Sequence, residues 1–302
     1  MKKLNYIFAL SAIVIAAMML PSCRKAGQDI DEPTDEPRNE DATGVLPGVF
    51  SIASGKTVHF AQGNLMAKVG KNAASLEWGL PENQYDVAAV EDRDEYISHG
   101  VMIDLFGWVG SSASSKYTDT YGALTEEDEK AYGDDPSDEC PDWGGLIAKG
   151  WRVLSADEWE YLLHERKDAQ RKLGLCQIVT AKETVNGLLL LPDDWKGVEG
   201  FEMDTDTDTF VGNVFYAGGN AKSGVSWEDM EEEGAVFLPV TGLRFGDEVK
   251  KSAVGHYWTA SPYERRGIAY NLDFAEGFIG VNNNNRYFGF AVRLVCETRN
   301  GF

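Results

Sequence analysis

Positive charge is scarce in this 302-residue chain: 28 Lys and Arg stand against 49 Asp and Glu, for a formal net charge of -21. Such a balance repels phosphate backbones and anionic bilayers, which excludes nucleic-acid binding and electrostatic adhesion to a membrane. Cysteine is also scarce, with four in all. Apart from Cys23 they are Cys140, Cys176 and Cys296, without CxxC or zinc-type spacing, so at most one disulfide is expected and no disulfide framework. The four histidines, His59, His99, His164 and His256, lack metal-ligand spacing. No HExxH, GxSxG or glycine-rich phosphate loop is present, so no metal, no cofactor and no catalytic residue is expected from motifs. Beyond residue 20 no apolar run is long enough to span a bilayer.

The N-terminus carries the one long apolar stretch. Lys2 and Lys3 precede an apolar run over residues 6–20, then Pro21, Ser22 and Cys23. A short basic region, an apolar core too short to span, and a small residue before a cleavage point describe a secretory signal over residues 1–22. Residues 24–44 are acidic, proline-containing and without apolar periodicity, which describes a disordered tether. The expected organisation is a signal at 1–22, a tether at 23–47 and one folded domain at 48–297, long enough to bury its own core.

Within the domain, alternation predicts strands over 56–61, 257–260 and 269–274, and the 32 glycines punctuate a chain rich in loops. Ser155 followed by Glu158 is a capping box, with Trp159, Leu162 and Leu163 on one helix face. A second short helix runs from a Ser226 cap towards Gly234 and leads into a buried strand over 235–239. Trp108, Trp143, Trp151, Trp159, Trp195, Trp227 and Trp258 are expected as core anchors. Asp204, Asp206 and Asp208 alternate as a calcium loop would begin, but Thr209 stands where that loop needs glycine and Phe215 where it needs a bidentate glutamate. A solvated acidic loop is expected there.

Several segments resemble known families. The junction Leu20-Pro21-Ser22-Cys23 resembles a bacterial lipobox, which implies a lipid on Cys23, a membrane anchor without a spanning helix, and an outer-membrane or cell-surface location. Trp151-Arg152-Val153-Leu154-Ser155-Ala156-Asp157-Glu158-Trp159-Glu160-Tyr161-Leu162 resembles the signature of formylglycine-generating-enzyme-like (sulfatase-modifying-factor) domains. The order of the segments at 58–65, 82–86, 103–108, 185–195, 234–239, 257–261 and 290–295 is similar to the Fibrobacter-type major paralogous domain. The resemblance spans residues 50 to 296 and implies an α+β, C-type lectin-like fold. The enzyme branch depends on a cysteine pair or a copper site built from one, and only Cys296 lies in the corresponding region, so the resemblance implies no oxidase activity. Motifs for calcium-dependent sugar binding are absent; Pro81-Glu82-Asn83 has the wrong order.

The end of the chain resembles a third branch, the variable proteins of diversity-generating retroelements. In these a loop-rich C-terminal surface is altered at template adenines, and asparagine codons are adenine-rich. Trp258, Ala269, Leu272, Phe274, Val281, Phe290, Val292 and Leu294 would form the framework. Tyr263, Glu264, Arg265, Arg266, Asn271, Asp273, Glu276, Phe278, Asn282, Asn283, Asn284, Asn285 and Arg286 would point outward as ligand-binding positions. A fixed polar hairpin loop also accounts for the asparagines, since asparagine tolerates turn conformations. The expectation is a lipid-anchored, exported, non-catalytic binding protein for a protein or glycan ligand. An enzyme with an unrecognised site and a structural component of a surface assembly remain the alternatives.

Overall fold

The computed structural model describes residues 44–70, 76–88, 99–108, 140–218, 224–245 and 248–298. The expected signal, Cys23 and most of the tether lie outside the described residues. Residues 42–302 form one compact unit, and Leu46, assigned above to the tether, is buried in its core. The composition is 44% strand and 11% helix, a mixed α+β, loop-rich architecture. Among the described residues no helix is long and apolar enough to cross a membrane.

In chain order the elements are β1 (Phe50–Ala53), β2 (Lys56–Asn64), β3 (Met66–Val69), β4 (Leu76–Gly79), β5 (Met102–Ile103), β6 (Trp151–Val153), α1 (Ala156–Glu160), β7 (Leu173–Val179), β8 (Thr184–Leu190) and β9 (Asn213–Tyr216). There follow β10 (Val225–Ser226), α2 (Trp227–Glu232), β11 (Val236–Pro239), β12 (Leu243–Phe245), β13 (Glu248–Lys250), β14 (Gly255–Pro262), β15 (Ile268–Ala275), β16 (Phe278–Asn285) and β17 (Arg293–Glu297). The two larger sheets run β1-β2-β17-β6 and β10-β9-β7-β8-β11. Strand β17 pairs antiparallel with both β2 and β6, so the last strand closes the first sheet.

Local sequence accounts for the helices. The Ser155 side chain accepts from the Glu158 N–H at 3.2 Å, and Glu158 Oε2 accepts from the Ser155 N–H at 2.8 Å. Arg152 holds both oxygens of the same carboxylate, at 2.7 and 2.8 Å. The helix continues into one π-helical turn, Tyr161–Glu165, and Trp159, Leu162 and Leu163 are all buried. Ser155→Ala is expected to cost about 1 kcal/mol, the usual worth of an N-cap, read as a lower urea midpoint with unchanged slope. Helix α2 begins at the Ser226 cap, and Gly234 just beyond it adopts φ +90°, a left-handed conformation that favours glycine at a helix end. Every residue of β11 is buried, as its unbroken apolar run requires.

Strands β14, β15 and β16 form a separate antiparallel sheet with both faces covered. One face sends Tyr257, Leu272 and Phe274 into the core beside α1 and β1. The other sends Trp258 and Ala269 into a second core with Phe106, Trp108, Phe290 and Val292. Trp108, Trp143, Trp151, Trp159, Trp227 and Trp258 are buried, and Trp195 is half-buried against Phe201. Cys140, Cys176 and Cys296 are free thiols.

Candidate functional site

The four asparagines belong to a strand, not to a loop. Asn282, Asn283, Asn284 and Asn285 lie on β16 opposite Asn271, Tyr270, Ala269 and Ile268 of β15. Asparagine suits a strand poorly unless its amide finds partners. Here Asn282 Nδ2 donates to Asp273 Oδ2 at 3.0 Å, and Asn284 Nδ2 donates to Asn271 Oδ1 at 3.0 Å. Asn271 Nδ2 donates in turn to Asp273 Oδ1. His256 Nδ1 lies 2.6 Å from that oxygen and donates to it, because a carboxylate only accepts. Asn282 Oδ1 also accepts the N–H of Asn283 at 2.8 Å, capping a backbone donor on the edge strand. The even-numbered asparagines therefore complete a polar network around a buried carboxylate.

Three positions expected to point outward are buried. Asn271 is 0% and Asp273 6% exposed, because the face they share carries Trp258 and Ala269 into the second core. Arg286 is 1% exposed: its guanidinium lies 4.3 Å from the Trp108 ring centre, and its Nε donates to the Ile268 carbonyl at 3.1 Å. A reading of one buried and one open face fails where both faces of a sheet are covered.

The remaining positions divide between the two ends of the sheet. Strand β15 has eight residues, so its ends are about 24 Å apart at the usual rise per residue. At one end sit Glu276 and Phe278, the latter 48% exposed. That end faces acidic chain: the Gly277 N–H donates to the Thr207 carbonyl at 2.7 Å, and Glu276 Oε1 accepts from the Phe210 N–H at 3.4 Å. The Asp204 and Asp206 carboxylates each accept an N–H two residues on, at 2.9 Å. Among the described residues no group of acidic, histidine or cysteine side chains could hold a metal ion.

The opposite end gathers Tyr263, Glu264, Arg265 and Arg266 beside Asn283–Asn285, tied together by the Arg286 N–H donating to the Gly267 carbonyl at 2.9 Å. On the face shared by Tyr270 and its cross-strand neighbour Asn283, the Tyr263 ring meets the Tyr270 ring edge-on, centroids 5.1 Å apart. On the far side Phe245, 40% exposed, contacts Phe288 at 5.4 Å and Tyr287 at 6.0 Å, with Lys250 Nζ 5.1 Å from its ring centre. Asn285 Nδ2 donates to the Tyr287 hydroxyl at 3.0 Å. Phe288 stacks on Phe290, which stacks on His256, so the exposed rings rest on the polar network. Sequence reading missed Tyr270, Phe245, Tyr287, Phe288 and His256. Phe245 arrives through the pairing of Arg244 with Gly289, a contact with no local signal.

Of several open clefts elsewhere among the described residues, two border α1 and α2. One of about 410 Å³ is bordered by Cys140, Arg152, Ser155 and Glu158, whose polar groups are largely spent on the capping box. The other, about 390 Å³, is bordered by Tyr85, Trp227, Glu228 and Glu231. Its carboxylates already accept from the Gly218 N–H, Ser226, Gln84 and Trp227. Burial pushes the Cys140 thiol up to about 12 and raises those of Cys176 and Cys296.

Compared with family models, with curated proteins and with solved structures, the chain finds no match.

Proposed function

We propose that this is an exported, lipid-anchored binding protein of C-type lectin-like fold that presents one end of the β14–β16 sheet to a ligand and performs no chemistry. The anchor is a lipid on Cys23, the tether holds the body away from an outer-membrane or cell surface, and the partner is a protein or a glycan. The observation that carries the reading is the gathering of Tyr263, Arg265, Tyr270 and Asn283, all exposed or half-exposed, on a sheet covered on both faces. A recognition surface needs such fixed aromatic and amide groups on a rigid support. The non-catalytic half is supported by the thiols: burial keeps all three protonated at neutral pH, whereas a nucleophile must be a thiolate. Diversification by a retroelement would fall on Tyr263–Arg266 and Asn283, since Asn271, Asp273 and Arg286 are fixed by their partners.

The test is an array of glycans and peptides probed with the full chain in detergent. A ligand retained by the parent protein should lose at least tenfold in affinity with Arg265→Gln combined with Asn283→Ala, and should be retained by Phe278→Ala at the opposite end. Equal loss with Phe278→Ala, or no loss with the double variant while circular dichroism is unchanged, would place binding elsewhere.

A further inference from the structure

Strand β16 is the outer strand of its sheet, and its free edge is open over a short window. We infer that this edge docks an extended segment of a partner protein, which adds antiparallel to β16 as one more strand; this goes beyond the end-of-sheet surface above and names a separate contact.

Pairing parity fixes which groups face outward. On the far side of the sheet the Trp258 N–H donates to the Ala291 carbonyl at 2.9 Å and the His256 carbonyl accepts from the Ala291 N–H at 3.0 Å, so both residues turn away from β15. Tyr257 and Leu272 therefore exchange the ladder bonds between β14 and β15, and Asn271 and Asp273 turn towards β16 to meet Asn282 and Gly280. Ile279, Val281 and Asn283 are left with their main-chain groups pointing outward. The Asn283 N–H is capped by Asn282 Oδ1, and at the other end of the window the Gly277 N–H is held by the Thr207 carbonyl. Among the described residues nothing pairs with the N–H groups of Ile279 and Val281 or with the carbonyls of Ile279, Val281 and Asn283.

Proteins guard such an edge with charge, proline, a bulge or a cover. Strand β16 has eight residues, FIGVNNNN, with no charge and no proline, and its register against β15 is unbroken. The chemistry of the occupant follows from the window. A row of donors and acceptors that repeats every second residue, about 6.8 Å, is matched by another extended main chain. Side chains of the incoming strand opposite Ile279, Val281 and Asn283 lie on the face where Ile279 and Val281 pack against the first core, and those opposite Gly280 and Asn282 lie on the asparagine face. The segment therefore alternates β-branched apolar residues with small polar ones. A second copy of the chain fits worse. With Val281 opposite Val281 its Asn285 falls opposite Gly277, in the place the Thr207 carbonyl holds, and two chains of net charge -21 would have to meet.

The experiment titrates the full chain in detergent with the acetylated, amidated peptide Ser-Val-Thr-Val-Thr-Val-Ser, followed by ligand-observed NMR, alongside sedimentation of the chain alone. With valines opposite Ile279, Val281 and Asn283, the valine N–H groups face β16 and the threonine N–H groups face away from it. N-methylation of the valines should lower the affinity at least tenfold, whereas N-methylation of the threonines should leave it unchanged. Val281→Pro removes an outward N–H without breaking the ladder to β15, and should cost as much while circular dichroism stays the same. Equal affinity of the three peptides for the parent protein, a result that does not depend on any variant folding, overturns the edge as the site. So does unchanged binding to a folded Val281→Pro variant. A chain that sediments as a dimer, and as a monomer with Val281→Pro, overturns the partner segment in favour of a second copy. Absence of binding by the unmethylated peptide overturns the inference.

Discussion

Arg293→Met is expected to lose about 3–5 kcal/mol of stability, the cost of leaving three buried acceptors without their donor at about 1–3 kcal/mol each, less what relaxation of the gap recovers. Arg293 is 1% exposed and reaches three acceptors on two strands: Asn64 Oδ1 at 3.0 Å and the Ala61 carbonyl at 3.0 Å on β2, and the Phe237 carbonyl at 2.7 Å on β11. The chain of bonds continues, since Asn64 Nδ2 donates to the Tyr257 hydroxyl at 3.1 Å, and that hydroxyl donates to the Pro239 carbonyl at 2.7 Å. One side chain on β17 thus ties the first sheet to β11 and, through Tyr257, to the sheet that carries the binding surface.

Methionine fills much of the same volume but leaves buried carbonyls without donors, each at about 1–3 kcal/mol. Burial lowers the Arg293 pKa to about 10, and the guanidinium still stays charged at neutral pH. Lysine restores the charge but not the planar fork, so Arg293→Lys should fall between parent and methionine variant rather than rescue. Guanidinium unfolding reads both, as a shift of midpoint at constant slope. A loss below about 1 kcal/mol for Arg293→Met would mean that the network relaxes around the gap, against the 3–5 kcal/mol expected.

The contrast between Ser155 and Arg293 shows what was legible in the sequence. The capping box joins residues three apart, so its chemistry stands in one short window, and the helix formed where that window placed it. The same holds for the buried run at 236–239 and the Ser226 cap. Arg293 sits in an apolar finish and meets Ala61 and Asn64 from the far end of the chain. No local pattern announces that pairing. The asparagines show the same limit. Their composition argues for a loop, and only the placement of His256 and Asp273 across two strands reveals why a strand can hold them.

Part of the candidate site was legible for a related reason. Exposed turn residues such as Glu264, Arg265 and Arg266 are set by a tight connection between two recognisable strands, so their exposure follows from local sequence. Whether a strand position faces water depends on what covers the sheet. The cover over Asn271 and Asp273 comes from Phe290, after the hairpin, and from Phe106 and Trp108, more than a hundred residues earlier. Alternation along β15 separates Leu272 and Phe274 from Asn271 and Asp273, but Ala269, grouped above with the framework, shares the face of the polar pair, and alternation could not say that both faces were covered.

The second large effect is on the pH dependence of folding and is traced to Asp104. This carboxyl is 2% exposed and accepts from the Ala88 N–H at 2.9 Å. Burial outweighs that hydrogen bond and holds its pKa up at about 7, against an ordinary value of 3.8. The folded state therefore binds a proton that the unfolded chain releases between those two values, and stability falls as pH rises through that window. Its contribution is fully present below about pH 3.8 and lost above about pH 7. The whole effect is on the order of 4 kcal/mol at 1.36 kcal/mol for each tenfold change in proton affinity.

Asp104→Asn keeps an oxygen for the Ala88 N–H and has no charge to desolvate. Its new N–H₂ group costs about 1–2 kcal/mol if it finds no acceptor, a cost that does not vary with pH. Urea unfolding at several pH values from 4 to 8 separates the two terms, because repulsion among the other carboxylates is common to both proteins. The difference between variant and parent should move in favour of asparagine by several kcal/mol from acid to alkaline pH. Parallel stability curves across that range would show that Asp104 ionises normally and that its burial is relieved in solution.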